Sequence, residues 1–382
     1  MAIIVTDFLE LRDAVDLAPT DGAPWVIFVD ADITMANAVI NSASIIISGG
    51  RNIILASYGT ELSSGIGSIR HTLFGPLGVS TSAGNEGPRH FIVAGGGTTL
   101  TLINIVLQGI STATTLHSGG VRVIEGGNLF MENNTVILGC FQQNGGAVRV
   151  IGSDIGLGSI FTMSDSEITG NNAISSGGGV HIANAGGIFN MNGTAHIYNN
   201  SAGSSGGGVI VNANGVFIMN NGTIDNNIAG VWGGGVRYHN GALFTMYTGT
   251  IAANIAQSGG GGVSGGGTSI FNMYDGIILN NIVTGTGVVE GSSFGGGGGV
   301  MTDGTTTFNM LGGEIIENSA PMLIGMGGGV FLNHSARFNL SGSDTLIANN
   351  IAPNGGGVYV RSGNFFMDGG IITRNFAGNN GD

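Results

Sequence analysis

Apolar residues return along this chain in short alternating groups, and the groups themselves return. In Gly206 to Ala229 a glycine cluster leads into Val209-Ile210-Val211. Phe217-Ile218-Met219 follows eight residues after the first valine, and Ile224, Asn227 and Ala229 complete the unit. The leading valines are Val121, Val148, Val180, Val209, Val236, Val263, Val300, Val330 and Val358, at intervals of 27, 32, 29, 27, 27, 37, 30 and 28 residues. A period of this size signals a repeat architecture. Alternation puts the outer members of Val-x-Val and Phe-x-Met on one side of a strand and the middle member on the other. Val209, Val211, Phe217, Met219 and Ile224 are therefore expected to fill one core layer.

Two registers run through all the units. Met131, Met163, Met191, Met219, Met246, Met273, Met310 and Met367 form an internal column, with Leu340 completing it. Asn171, Asn200, Asn227, Asn254, Asn281, Asn318, Asn350 and Asn375 form a second. Asparagine tolerates left-handed dihedrals at tight corners, and stacked amides bond one another, so an asparagine ladder is expected. The coil after Val121 has Gly139 where that asparagine is expected. The glycine clusters are expected at a corner where side chains would clash or φ is positive. Three short strands closing every ~27 residues, stacked at roughly 4.8 Å, describe an all-β, single-stranded right-handed parallel β-helix. Leucine-rich repeats need leucine at fixed places and propeller blades about 40 residues; neither pattern is present.

The start of the chain departs from the repeat. Thr6 to Ala18 reads as a short amphipathic helix capped at Thr6 or Asp7, with Phe8, Leu11, Ala14, Val15 and Ala18 on one face. Strands at Trp25–Val29, Ile45–Ile47 and Ile53–Leu55 follow, and the helix would plug the open first coil. Ala56 to Arg89 reads as an irregular excursion rich in glycine and serine. Residues 1–115 thus form a capping helix with irregular first coils, and residues 116–382 regular repeats of about 27–30 residues. The chain stops where the next glycine cluster would begin, without the polar cap that closes a solenoid. The expectation is a segment of a longer precursor, with further coils of the parent chain as neighbours.

Composition narrows the function classes. Seventy-five glycines lack the every-third spacing of collagen, and 42% hydrophobic against 9% charged residues excludes a disordered chain. The net charge is −13 and all ten basic residues are arginines, so the basic footprint of a nucleic-acid binder is missing. A single cysteine, Cys140, excludes an intrachain disulfide and reads as a buried thiol. No apolar run reaches the ~18 residues of a membrane helix, so no direct membrane insertion of this segment is expected. Matches to GxGxxG follow from abundant glycine without a strand-then-helix context; no cofactor and no metal ligand set is expected.

The glycine cluster with valine, GGAV at Gly145 to Val148 and GGGV elsewhere, and the Ile-x-x-Asn-x-Ala segment resemble the two short motifs of chlamydial polymorphic outer-membrane proteins. They resemble equally the repeats of large Gram-positive cell-surface adhesins. The resemblance covers about Gly119 to Asp382 and implies a secreted, bacterial, surface-displayed adhesin-like rod. No autotransporter barrel and no wall-anchor signal accompany it.

The same architecture is similar to that of pectate lyases and related polysaccharide-cutting enzymes, which need converging carboxylates and a basic residue on one outer face. Here Asp165 and Asp275 share one register and Glu167 and Glu314 another, with the members of each pair far apart along the rod and no arginine in either. A non-enzymatic adhesin-like or spacer rod is therefore the leading expectation, with a polysaccharide-active enzyme as the alternative. Two sets of binding residues follow. The middle members of Val-x-Val, notably Arg122, Arg149, His181, Arg237, Phe331 and Tyr359, are expected on an outer face that could hold an acidic glycan or pack against a neighbouring element. Two insertions at one corner of adjacent coils carry Val288, Val289, Glu290, Phe294, Pro321, Met322, Leu323 and Ile324. This set is unusually apolar for loops and reads as a recognition surface for a glycan or a host surface protein.

Overall fold

The computed structural model describes residues 2–35, 44–59, 70–78, 87–110, 117–153, 156, 158–285, 295–321 and 325–378. The chain winds into a β-solenoid whose strands stack in ladders of 13, 12, 11 and 8 strands, with one further two-stranded ladder. Pairing is parallel and in register: Phe217 and Met219 lie against Phe189 and Met191 on one side and Phe244 and Met246 on the other. Among the described residues the exceptions are His117–Ser118, antiparallel to Leu77–Gly78 and Phe141–Asn144, and a register shift between Gln142 and Asn144.

A regular coil carries four strands where three were expected. In the coil of Val209 they are Val209–Val211, Val216–Met219, Thr223–Asp225 and Ile228–Ala229. The fourth is two residues long, too short for alternation to reveal. Beyond it a row of single bridges joins Ser176, Ser205, Trp232, Gly259, Gly296, Met326 and Asn354. The backbone is thus paired coil to coil almost all the way round.

Inward positions form columns. Val209, Val211, Phe217, Met219 and Ile224 are fully buried, as are the methionines from Met131 to Met310. Phenylalanine rings from Phe161 to Phe365 stack at centroid spacings of 4.5 to 5.0 Å, set by the ladder itself. Each stack adds about 0.5–1.5 kcal/mol to what burial alone supplies. One column varies in size. Tyr238 lies directly beneath Gly265, and a Cβ at Gly265 would sit 2.4 Å from the Tyr238 hydroxyl. The large ring occupies the space that the glycine leaves.

The asparagine register is a ladder of buried amides. Asn254 Oδ1 accepts from the backbone N–H and the Nδ2 of Asn227, both at 3.0 Å. Its Nδ2 donates to Ile224 O at 2.9 Å and Asn281 Oδ1 at 3.0 Å. The left-handed residue is not the ladder asparagine but the one before it: Gly170, Asn199, Asn226, Ala253, Asn280, Glu317, Asn349 and Arg374 all have positive φ. The amide is fixed by its bonds, so the preceding residue makes the turn. This corrects the register of the first regular coil. Gly139 is the left-handed residue (φ 62) and Cys140 the ladder residue. Cys140 donates its N–H to Asn171 Oδ1 at 2.9 Å, and its thiol reaches Leu138 O two residues back, as the Asn171 amide reaches Thr169 O.

The glycine corner is required twice over. Gly206 has φ 66, and a Cβ on Gly207 or Gly208 would lie 2.5 or 2.7 Å from carbonyl oxygens of the next coil. At the N-terminus the helix spans Phe8–Asp16, beginning where its apolar pattern begins and ending before that pattern's last member, Ala18. Asp7 caps it, accepting from Glu10 N–H at 2.9 Å, while Glu10 Oε2 accepts from Thr6 N–H at 2.7 Å. Leu11, Ala14 and Val15 are buried against the first coils, and Trp25 Nε1 donates to Ala14 O at 3.0 Å. A strand that the pattern did not reveal, Ala2–Val5, precedes the helix and pairs with Val26–Val29. At the far end Met367, an inward position, is 50% exposed.

Candidate functional site

Of the two roles expected of the middle members of Val-x-Val, holding a glycan or packing against a neighbouring element, the structure shows packing at several positions. Phe331 is fully buried, His181 is 7% exposed, and Ile210, Ser264 and Met301 are buried too. Arg122, Arg149, Arg237 and Tyr359 are half-buried. The cause is the fourth strand and the bridge row, which carry the glycine corner back across these side chains. A Cβ at Gly206 would lie 2.8 Å from Ile210 Cβ, and one at Gly296 would lie 2.6 Å from the Phe331 ring. Arg237 Nη1 donates to Ser264 Oγ at 2.6 Å, and its guanidinium lies 5.1 Å from the Trp232 ring centroid. Burial lowers it to about 10, below the ordinary arginine range. This column is packed beneath the glycine corner at His181, Ile210, Ser264, Met301 and Phe331, and partly open at its arginines and Tyr359.

Of the insertion residues, Pro321 is exposed, whereas Val288, Val289, Glu290, Phe294, Met322, Leu323 and Ile324 lie outside the described residues. Their attachment points are described. Ile282 pairs with Ser319 where the chain approaches each insertion, and Gly296 pairs with Met326 where it has returned. Both insertions therefore leave from one corner of adjacent coils.

The outer face of the 12-stranded sheet carries a polar cluster that the sequence did not single out. Glu167 and Glu314 occupy one row of this face, and His196, Thr223, Thr250 and Ile277 separate them. The two glutamates do not meet. Glu167 instead reaches diagonally to the next coil, where Tyr198 OH donates to its Oε2 at 2.8 Å. His196 bonds Asp225 Oδ1 at 2.5 Å, and the rings of His196 and Tyr198 stack at 4.1 Å. Partial burial, then the Glu167 contact, raises the Tyr198 phenol above its ordinary range. Its sequence signal was the pair of residues flanking the buried isoleucine of each coil, legible only once the coils are aligned. Asp165 is used locally, accepting from Thr194 N–H and Oγ1. Among the described residues no group of three or more His, Cys, Asp or Glu is placed to hold a metal ion.

The outer face of the 13-stranded sheet has a different character. On successive coils Ile160, Ile188, Val216, Leu243 and Ile270 form one column. Beside it Asn339 Nδ2 donates to Asn309 Oδ1 at 2.7 Å, and Asn309 Nδ2 to Asn272 Oδ1 at 2.8 Å. Along the edge Asn220 donates to Asn192 at 2.7 Å, and Tyr247 and Tyr274 stack at 5.1 Å. Tyr247, Tyr274 and Leu311 are 49%, 46% and 41% exposed.

Two further titratable groups are interior, His90 and Cys140. His90 is fully buried, accepting from Gly120 N–H at Nδ1 and donating from Nε2 to Leu73 O, both at 2.9 Å. Burial lowers it to about 4 and raises the Cys140 thiol to about 12, so the two are an inert neutral pair. Comparison of the chain with protein-family models, with curated proteins and with solved structures gives no match.

Proposed function

We propose that this chain is a non-enzymatic rod of a bacterial cell-surface protein, acting in adhesion or as an extracellular spacer and recognising a glycan or host surface protein through side loops. The observation that carries this reading is the paired departure of the two insertions from one corner, fixed by the Ile282–Ser319 and Gly296–Met326 bridges. The attachment points of both insertions thus lie on a scaffold held in register coil after coil, and the apolar residues that the insertions carry in sequence support recognition by them. The resemblance to polymorphic outer-membrane and Gram-positive adhesin repeats supports the same reading. Deleting Thr284 to Phe294 tests it: attachment to cells or glycans is expected to fall while the solenoid stays folded. Attachment that survives intact would rule out these loops.

A second reading, a polysaccharide-cutting enzyme, is favoured by one feature, the cluster of Glu167, Tyr198, His196 and Asp225. Two carboxylates reach from opposite sides toward the middle coil, a disposition that acid–base cleavage of a glycosidic bond can use. Incubation with neutral and acidic polysaccharides, followed by size-exclusion chromatography, separates the readings. Shortened chains that persist with the native protein and vanish in Asp225→Asn would establish the enzyme.

A further inference from the structure

We infer that the outer face of the 13-stranded sheet, between Ile160 and Leu311, is a binding surface for a neutral polysaccharide. The inference rests on the adhesion reading and names a partner class and a face that the loops do not include.

Charge is the first argument. In a chain of net charge −13, the outward positions of the strands at Ser159–Ser164, Gly187–Asn192, Val216–Met219, Leu243–Met246, Ile270–Met273 and Thr307–Met310 carry no Asp, Glu or Arg. The same rows become charged immediately outside this stretch. Glu132 precedes Ser164 in the edge column, and Arg337 follows Thr307 in the apolar one. An uncharged patch within an acidic molecule favours an uncharged partner over a polyanion or a basic protein surface.

The chemistry of the columns is the second argument. A pyranose chain offers apolar C–H faces alternating with hydroxyls that both donate and accept. The column from Ile160 to Ile270 supplies continuous aliphatic surface, with Ile270 42% exposed. The adjoining amides supply hydrogen bonding. Asn309 spends one N–H on Asn272 and one lone pair on Asn339, which leaves the amide a second N–H and a second lone pair to offer. The cross-coil bonds pre-orient this amide, so little side-chain freedom is lost on binding. Tyr247 and Tyr274 stack on each other, which covers one face of each ring and leaves their edges and hydroxyls for the ligand. The coils repeat at roughly 4.8 Å, so six of them span about 24 Å. That length suits an extended chain rather than a single sugar.

The test uses the whole chain, with insoluble cellulose and chitin as neutral probes and carboxymethylcellulose as the charged one. Native protein is expected to co-sediment with at least one neutral polymer, with binding little changed by added salt, and to ignore the charged one. Tyr247→Ala/Tyr274→Ala should weaken binding at least tenfold, and the single variant Leu311→Asp should do the same should the double variant fold poorly. Removal of Thr284 to Phe294 should leave this binding unchanged. Absence of binding to any neutral polymer, or binding that these face variants leave intact, would overturn the inference. Binding lost on loop deletion but not in the face variants would overturn it while sparing the adhesion reading. Concentration-dependent dimers abolished by Leu311→Asp would instead make the face a contact between copies, which also overturns it.

Discussion

Replacing Asn254 with alanine should be among the most damaging single changes in the rod. Its side chain is fully buried and makes four hydrogen bonds, accepting two from Asn227 and donating one each to Ile224 O and Asn281 Oδ1. Truncation strands the Asn227 backbone N–H and one Asn227 amide N–H with no acceptor, and removes a donor from the Ile224 carbonyl. A buried donor left unpaired costs about 1–3 kcal/mol. Two such donors, with a smaller term for the carbonyl, place the loss at about 3–6 kcal/mol. Asn309→Ala is the matched control. It breaks the same amide-to-amide contacts, to Asn272 and Asn339, but on a half-buried outer face where water can replace them. There the loss should stay below about 1 kcal/mol. Urea unfolding gives the shift in midpoint. Hydrogen exchange locates it, since coils of a solenoid can open regionally. Protection should fall at the Asn227 N–H first. Equal effects of the two variants, or a loss under about 1 kcal/mol for Asn254→Ala, would refute the argument that burial gives the inner ladder its weight.

Other interior positions give smaller, signed effects. The Tyr238 hydroxyl is buried with no hydrogen-bond partner among the described residues, so Tyr238→Phe should raise stability by about 1–2 kcal/mol; a lowered urea midpoint would contradict this. Ala253 is held at φ 52, where asparagine is less strained, and Ala253→Asn should add about 0.5–1 kcal/mol by the same measurement. His90 is held neutral in the fold at about 4, against an ordinary 6.5, so the unfolded chain binds the proton first. Its contribution is complete above pH 6.5 and is lost as pH falls toward 4, a loss on the order of 3 kcal/mol. In His90→Gln the drop in urea midpoint between pH 7 and pH 4.5 should shrink by a matching amount; an undiminished drop would assign the pH dependence to other groups.

What the sequence disclosed, and what it hid, follows from how each feature is encoded. The Phe-x-Met and Val-x-Val columns were legible because each coil repeats the same inward chemistry, and a stacked core demands it: every ring rests on its counterpart. The ladder was legible in its asparagines and misplaced by one residue at Gly139, because a cysteine at the ladder position breaks the letter pattern while preserving the N–H to Asn171 bond. For the middle members of Val-x-Val the sequence left a glycan face and packing against a neighbouring element both open, for a different reason. Alternation distinguishes the two sides of a strand but not whether the second side meets solvent, and two-residue strands such as Ile228–Ala229 are too short to announce the backbone that covers it. Surface chemistry is the least legible, since its neighbours come from other coils. Tyr198 meets Glu167 across 31 residues and His196 meets Asp225 across 29, separations that vary with every insertion at a corner. In a solenoid the core is therefore a property of the repeat, whereas any site is a property of the offsets between repeats. Down the columns of the aligned coils, uncharged and charged stretches of the outer faces separate.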